Sequence, residues 1–160
     1  MKHGFIKVAA ATPDIKVADV EYNTREICRL IDETAAQKSK VTVFPELCVT
    51  GYTCGDLFAQ DLLVKAAKQA IRVIAEHTKG KDGLYFVGAP LSVDGALYNV
   101  AVAISNGRIL GFTTKTFLPN YGEFYEMRQF RPGPKKAEKI LFGGKEIPFG
   151  PVSYTHLTLP

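Results

Sequence analysis

The chain has 160 residues, of which 46% are hydrophobic and 22% charged, proportions that fit one globular domain of ordinary size and argue against disorder. Its formal charge of +4 is modest and both signs are interspersed, so nothing points to nucleic acid or to a membrane surface. Three cysteines, Cys28, Cys48 and Cys54, are too few and too uneven for a disulfide framework and fit free thiols in a reducing, cytoplasmic setting.

The apolar residues from Phe5 to Ala11 are interrupted by Lys7 and followed by Pro13. That run is too short and broken for a secretory signal, and no stretch is long enough to span a bilayer. It reads as a short buried strand. Asp19 is placed to cap a helix running to about Lys38, with Val20, Ile27, Leu30, Ile31 and Thr34 on one face and Arg25, Glu26, Arg29, Asp32 and Glu33 on the wetter side. Val41–Phe44 reads as a second strand, stopped by Pro45, which has no N–H for a ladder. Strand, helix, strand in this order predicts parallel pairing through a right-handed crossover.

Gly51 and Gly55 bracket a loop that leaves the sheet. Asp61–His77 reads as a second helix with Leu63, Ala67, Ala70, Ile71 and Ile74 as its stripe, and Leu84–Ala89 as the next strand. Ala96–Ile104 and Arg108–Lys115 flank Asn106-Gly107, a strong hairpin signal because both turn positions favour positive φ. The sheet is therefore expected to be mixed, with helices on one face. Gly122–Phe130 suggests a short helical segment. Ile140–Phe142 and Ile147–Phe149, separated by Gly143-Gly144, suggest another hairpin. The tail from Val152 to Pro160 breaks the alternation and is read as non-native, leaving residues 1–151 as the domain.

Two segments carry chemistry. In Val43-Phe44-Pro45-Glu46-Leu47-Cys48-Val49-Thr50-Gly51-Tyr52, an acid follows an apolar strand directly. That places a carboxylate at the carboxyl edge of the sheet, where open α/β folds hold ligands. In Lys115-Thr116-Phe117-Leu118-Pro119-Asn120-Tyr121-Gly122-Glu123-Phe124-Tyr125-Glu126, a cation leaves a strand end in the same way. Taken singly, each has a bland reading. Glu46 could be a solvated loop acid and Lys115 a solvated strand end. Glu123 and Glu126 could both face water on a short helix.

Together the two segments resemble the nitrilase, or carbon–nitrogen hydrolase, superfamily, and the resemblance covers residues 4 to about 150. It implies an α/β fold of the nitrilase-like α-β-β-α sandwich type, of which this chain is an incomplete half-domain. It implies Glu46 as general base and Lys115 as the cation that stabilises the tetrahedral intermediate. Glu123, eight residues beyond the lysine, falls at the accessory glutamate, expected to hold the lysine or the base by hydrogen bonding. The Thr50–Phe58 stretch and Asn120–Glu126 look like the glutaminase domains of long-form bacterial NAD⁺ synthetases, where the tyrosines matching Tyr52 and Tyr121 help form the glutamine pocket. By residue type alone, a core role for either tyrosine is as plausible.

The superfamily's nucleophile is a cysteine several dozen residues beyond the lysine, and no cysteine follows Cys54 here. The resemblance therefore implies an inactive amino-terminal piece of a glutamine amidohydrolase domain. The glutaminase domain itself needs no metal. Its ammonia would go to an absent synthetase domain that uses ATP and Mg²⁺ to convert deamido-NAD⁺ to NAD⁺, in a homo-oligomeric intact protein. A stand-alone amidase or carbamoylase, and a non-catalytic interaction module of the same fold, remain open alternatives.

Overall fold

The structure, a computed structural model, describes residues 4–151. The tail from Val152 to Pro160 lies outside them. In chain order the elements are β1 (Val8–Ala10), α1 (Val20–Ala36), β2 (Val41–Val43), a 3₁₀-helix (Gly55–Ala59), α2 (Asp61–His77), β3 (Leu84–Val93), β4 (Ala96–Ser105), β5 (Arg108–Thr114), α3 (Glu126–Gln129), β6 (Glu138–Phe142) and β7 (Lys145–Gly150). Among the described residues the strands form one mixed sheet in the order β1-β2-β3-β4-β5-β7-β6. β1, β2 and β3 run parallel, β3 to β5 form an antiparallel meander, and β7 lies parallel to β5. β6 closes the edge as the hairpin partner of β7.

Local chemistry sets these boundaries. The Asp19 carboxylate accepts the Tyr22 N–H at 3.0 Å and caps α1. The meander turns on Asn106-Gly107 (φ 46° and 76°) and on Asp94-Gly95 (φ 48° and 78°). The second turn was not anticipated, and it lengthens β3 to Val93. β1 departs from the expected buried strand over Phe5–Ala11. It is three residues long and pairs on one side only, so Val8 is 64% and Phe5 82% exposed.

The two faces of the sheet differ. α2 packs on β3, β4 and β5 and α1 packs on α2. Beneath them Tyr85, Val87, Ala89 and Leu91 of β3, and Val100, Val102 and Ile104 of β4, are buried with Ile27, Ile31, Ile71 and Ile74. By register, Val8, Val43, Phe86 and Ala101 point to the other face, where Val43 is 47% exposed and Phe86 and Ala101 are half-buried. An uncovered apolar sheet face with an open edge strand favours association. Static light scattering of the isolated chain is expected to show species heavier than 17.5 kDa, and Val8→Lys is expected to reduce them; a monodisperse wild-type monomer would contradict this.

After β2 the chain folds back over β3, and Gly88 makes that possible. A Cβ there would lie 2.4 Å from both the Leu47 nitrogen and the Pro45 oxygen. Gly88→Ala is expected to lift the Pro45–Leu47 turn and lower stability by about 1–3 kcal/mol, the usual cost of overpacking, measured by urea denaturation.

Candidate active site

Glu46 sits in a tight turn between β2 and the 3₁₀-helix. Phe44 N–H donates to the Phe86 carbonyl at 2.9 Å and Val49 N–H to the Gly88 carbonyl at 3.2 Å, so both ends of the turn hang on β3. Gly51 N–H closes it on the Leu47 carbonyl at 2.8 Å, with Leu47 itself at φ 51°. Asn23, fully buried in α1, donates to the Val49 carbonyl at 3.2 Å and the Lys16 carbonyl at 2.8 Å, which ties the turn to the start of the helix.

Lys115 follows β5 directly. Its N–H donates to the Asn99 carbonyl at 2.9 Å and its own carbonyl accepts the Gly133 N–H at 3.0 Å. β5 and β2 run in the same direction, so Glu46 and Lys115 leave the sheet at the same edge. The Lys115 ammonium donates to Glu46 Oε1 at 2.7 Å and to Glu126 Oε1 at 2.8 Å. Glu46 Oε1 also accepts from Asn99 Nδ2, and Glu126 Oε1 accepts the Tyr52 hydroxyl at 2.6 Å. Lys115 and Glu46 are partly exposed, whereas Glu126 is only 5% exposed.

Burial by itself would lower the Lys115 pKa. Its hydrogen bonds to Glu126 and Glu46 outweigh that and raise it above the ordinary lysine range, so the side chain is an ammonium at neutral pH. Burial, reinforced by the Glu126 carboxylate, pushes the Tyr52 phenol above its usual range and keeps it a donor.

The accessory position needs a correction. Glu123 is exposed and makes no hydrogen bond to Lys115 or Glu46 among the described residues; Glu126 makes that contact. The reason is local. Gly122 has φ 58° and the Phe124 N–H turns back onto the Tyr121 carbonyl, so α3 starts only at Glu126. Glu126, the first residue of α3, lies one turn before Phe130, whose N–H donates to the Glu126 carbonyl at 2.8 Å and whose ring is buried edge-on to Phe58 with centroids 4.9 Å apart. That i, i+4 relation was the sequence signal for an inward carboxylate. Tyr52 touches Glu126. Tyr121 is 71% exposed and packs against Phe124.

None of the three thiols joins the cluster. Cys48 is buried, donates to the Gly88 carbonyl, and is pushed up to about 12 by burial. Burial and then Asp32 raise Cys28 to about 11, and burial also raises Cys54. Two clefts flank the cluster. One of about 290 Å³ over the apolar sheet face is bordered by Glu46, Asn99 and Lys115, and one of about 210 Å³ by Tyr52, Glu123 and Glu126. A larger depression of about 750 Å³ between the 3₁₀-helix and α3 contains no member of the cluster. Among the described residues no group of three or more His, Cys, Asp or Glu is placed to hold a metal ion, and no helix is long and apolar enough to cross a membrane.

The profile of the carbon–nitrogen hydrolase family matches residues 7–154. Glutamine-dependent NAD⁺ synthetases of Mycobacterium leprae and Aquifex aeolicus are 37% and 38% identical over 148 and 144 residues, 92% and 90% of this chain. The chain spans 22% and 25% of those relatives. The crystal structure of a glutamine-dependent NAD⁺ synthetase from Cytophaga hutchinsonii superposes with a TM-score of 0.86 at 32% identity, over 91% of this chain and 25% of that one. An amidase from Nesterenkonia sp. shares the fold, with a TM-score of 0.69 at 21% identity over 92% of this chain and 56% of that one.

Lys115→Met strips the buried Glu126 carboxylate of its cation. Urea denaturation at neutral pH is expected to show a loss of about 3–5 kcal/mol, as for orphaning one member of a buried pair, and Glu126→Gln in the same chain should recover part of it. The Lys115 pKa is raised on folding, so its contribution is complete below the unfolded lysine pKa and fades as pH rises through the folded one. The wild type should therefore lose melting temperature in that alkaline window more steeply than Lys115→Met does.

Proposed function

The chain belongs to the carbon–nitrogen hydrolase family, and on that premise we propose that Glu46, Lys115 and Glu126 are the base-and-cation part of a thiol-dependent amidase site acting on the side-chain amide of glutamine. The observation that carries this reading is one ammonium held between two carboxylates at the mouth of a cleft.

Each member has a chemical task. An amide is a poor electrophile, and a thiolate attacks it to form a thioester. Glu46 takes the thiol proton and returns it to the leaving nitrogen, so ammonia departs as a neutral molecule. It then takes a proton from water, whose oxygen attacks the thioester, and returns that proton to the departing sulfur, which releases glutamate and restores the thiol. The negative charge that builds on the carbonyl oxygen in both steps faces the Lys115 ammonium. Glu126, fixed by the Tyr52 hydroxyl, holds that ammonium in place. Cys28, Cys48 and Cys54 are poorly suited to the sulfur role, so the reading requires a cysteine from a further segment that docks over Glu46.

Glutamine, rather than another amide, is favoured by the similarity to glutamine-dependent NAD⁺ synthetases. On the same basis, the ammonia serves a synthetase domain that uses ATP and Mg²⁺ to convert deamido-NAD⁺ to NAD⁺. The donor sets of the described residues do not fit such a metal, and no step at this site runs through it.

The test is ammonia release from glutamine by a polypeptide that carries this sequence together with the nucleophilic cysteine. Glu46→Gln and Lys115→Met should each lower kcat by about 10²–10⁴-fold, the range for a positioned general base or a charge stabiliser. The 160-residue chain by itself should release none above background. Hydrolysis by that chain alone, or undiminished hydrolysis in Glu46→Gln, would overturn the reading. Equal turnover of simple aliphatic amides would replace glutamine with a broader amide class.

A further inference from the structure

We propose that Asn99 is a positioning residue that selects which oxygen of Glu46 handles the proton, an inference that rests on Glu46 being the base. Asn99 is 4% exposed and lies on β4, opposite Pro90. It is an amide on a sheet face otherwise carrying Val43, Phe86 and Ala101, and a buried amide there needs partners.

Its partners are the two residues of the site. The Asn99 carbonyl accepts the Lys115 N–H at 2.9 Å, and its side-chain Nδ2 donates to Glu46 Oε1. The Lys115 ammonium donates to the same Oε1 at 2.7 Å. One strand residue thus fixes the base and the cation relative to each other, although they lie 69 positions apart in sequence.

Both donors fall on Oε1, and Glu46 Oε2 has no hydrogen-bond partner among the described residues. The geometry therefore assigns Oε2 as the proton-accepting atom. A carboxylate held by Lys115 alone could rotate and offer either oxygen. A neutral amide donor also suits a group whose charge cycles. When Oε2 takes a proton, Oε1 becomes a carbonyl oxygen and still accepts from Nδ2, so the base stays in place for the return transfer. An aspartate at position 99 would set a carboxylate against a carboxylate, and a leucine would fill the space without donating.

The experiment compares Asn99→Leu, Asn99→Asp and Glu46→Gln in the cysteine-bearing polypeptide, each checked by its melting curve. Asn99→Leu should lower kcat by roughly 10- to 100-fold, part of what a positioned base supplies, with KM changed by less than about twofold. Asn99→Asp should shift the acidic limb of the kcat–pH profile upward, because adjacent carboxylates hold protons more tightly; a merely structural role would not move that limb. Wild-type kcat in Asn99→Leu beside an inactive Glu46→Gln would overturn the assignment of Asn99 and leave the base intact. An active Glu46→Gln would remove the base reading itself. If the Asn99 variants fail to fold, the ¹H–¹⁵N spectrum of the unmutated 160-residue chain decides. One Asn99 side-chain amide proton should resonate downfield and return to the ordinary amide position in Glu46→Ala, and an unchanged signal would overturn the proposal.

Discussion

One ammonium between two carboxylates is the interaction on which the site depends. Glu126 is almost wholly removed from water, its Oε2 has no partner among the described residues, and its Oε1 takes both the Lys115 ammonium and the Tyr52 hydroxyl. A buried carboxylate in that state is tolerable only beside a cation. Lys115 is therefore held by an electrostatic demand as well as by its backbone. The same cation then faces Glu46, whose side chain remains partly open to solvent.

The sheet creates this arrangement by changing its pairing sense. β2 and β3 run parallel, and the β3-β4-β5 meander returns the chain to the same direction, so two strand exits separated by two intervening strands open on one edge. Close backbone approach supplies the remaining precision. Gly88 lets the Glu46 turn rest on β3. Gly133, where a Cβ would stand 2.0 Å from Thr114 Oγ1, lets the later chain cross beside Lys115. Glycine is required at both places because backbone or a buried side chain occupies the room that a side chain would need.

The surroundings set the charged cluster apart from the thiols of this sequence. The cleft beside Glu46 is floored by apolar residues of the uncovered sheet face. The thiols present are packed where burial opposes ionisation, and Cys48 and Cys54 are engaged with backbone carbonyls rather than with Glu46.

Much of this was legible in the chain. The periodicity of α1 and α2, the Asp19 cap and the Asn106-Gly107 and Gly143-Gly144 turns are local signals, because each rests on spacing of a few residues, whereas Glu46 and Lys115, 69 positions apart, were joined only by the resemblance to the superfamily. The sequence by itself thus determined the mixed sheet with its helices and the candidacy of Glu46 and Lys115. Only the tertiary structure decided that Glu126 rather than Glu123 reaches the lysine, that Tyr52 donates to that glutamate, and that Asn99 donates to Glu46. Those choices depend on where a four-residue helix begins and on which side chains converge from turns and strands tens of residues apart, and no local pattern encodes a distance across the sheet.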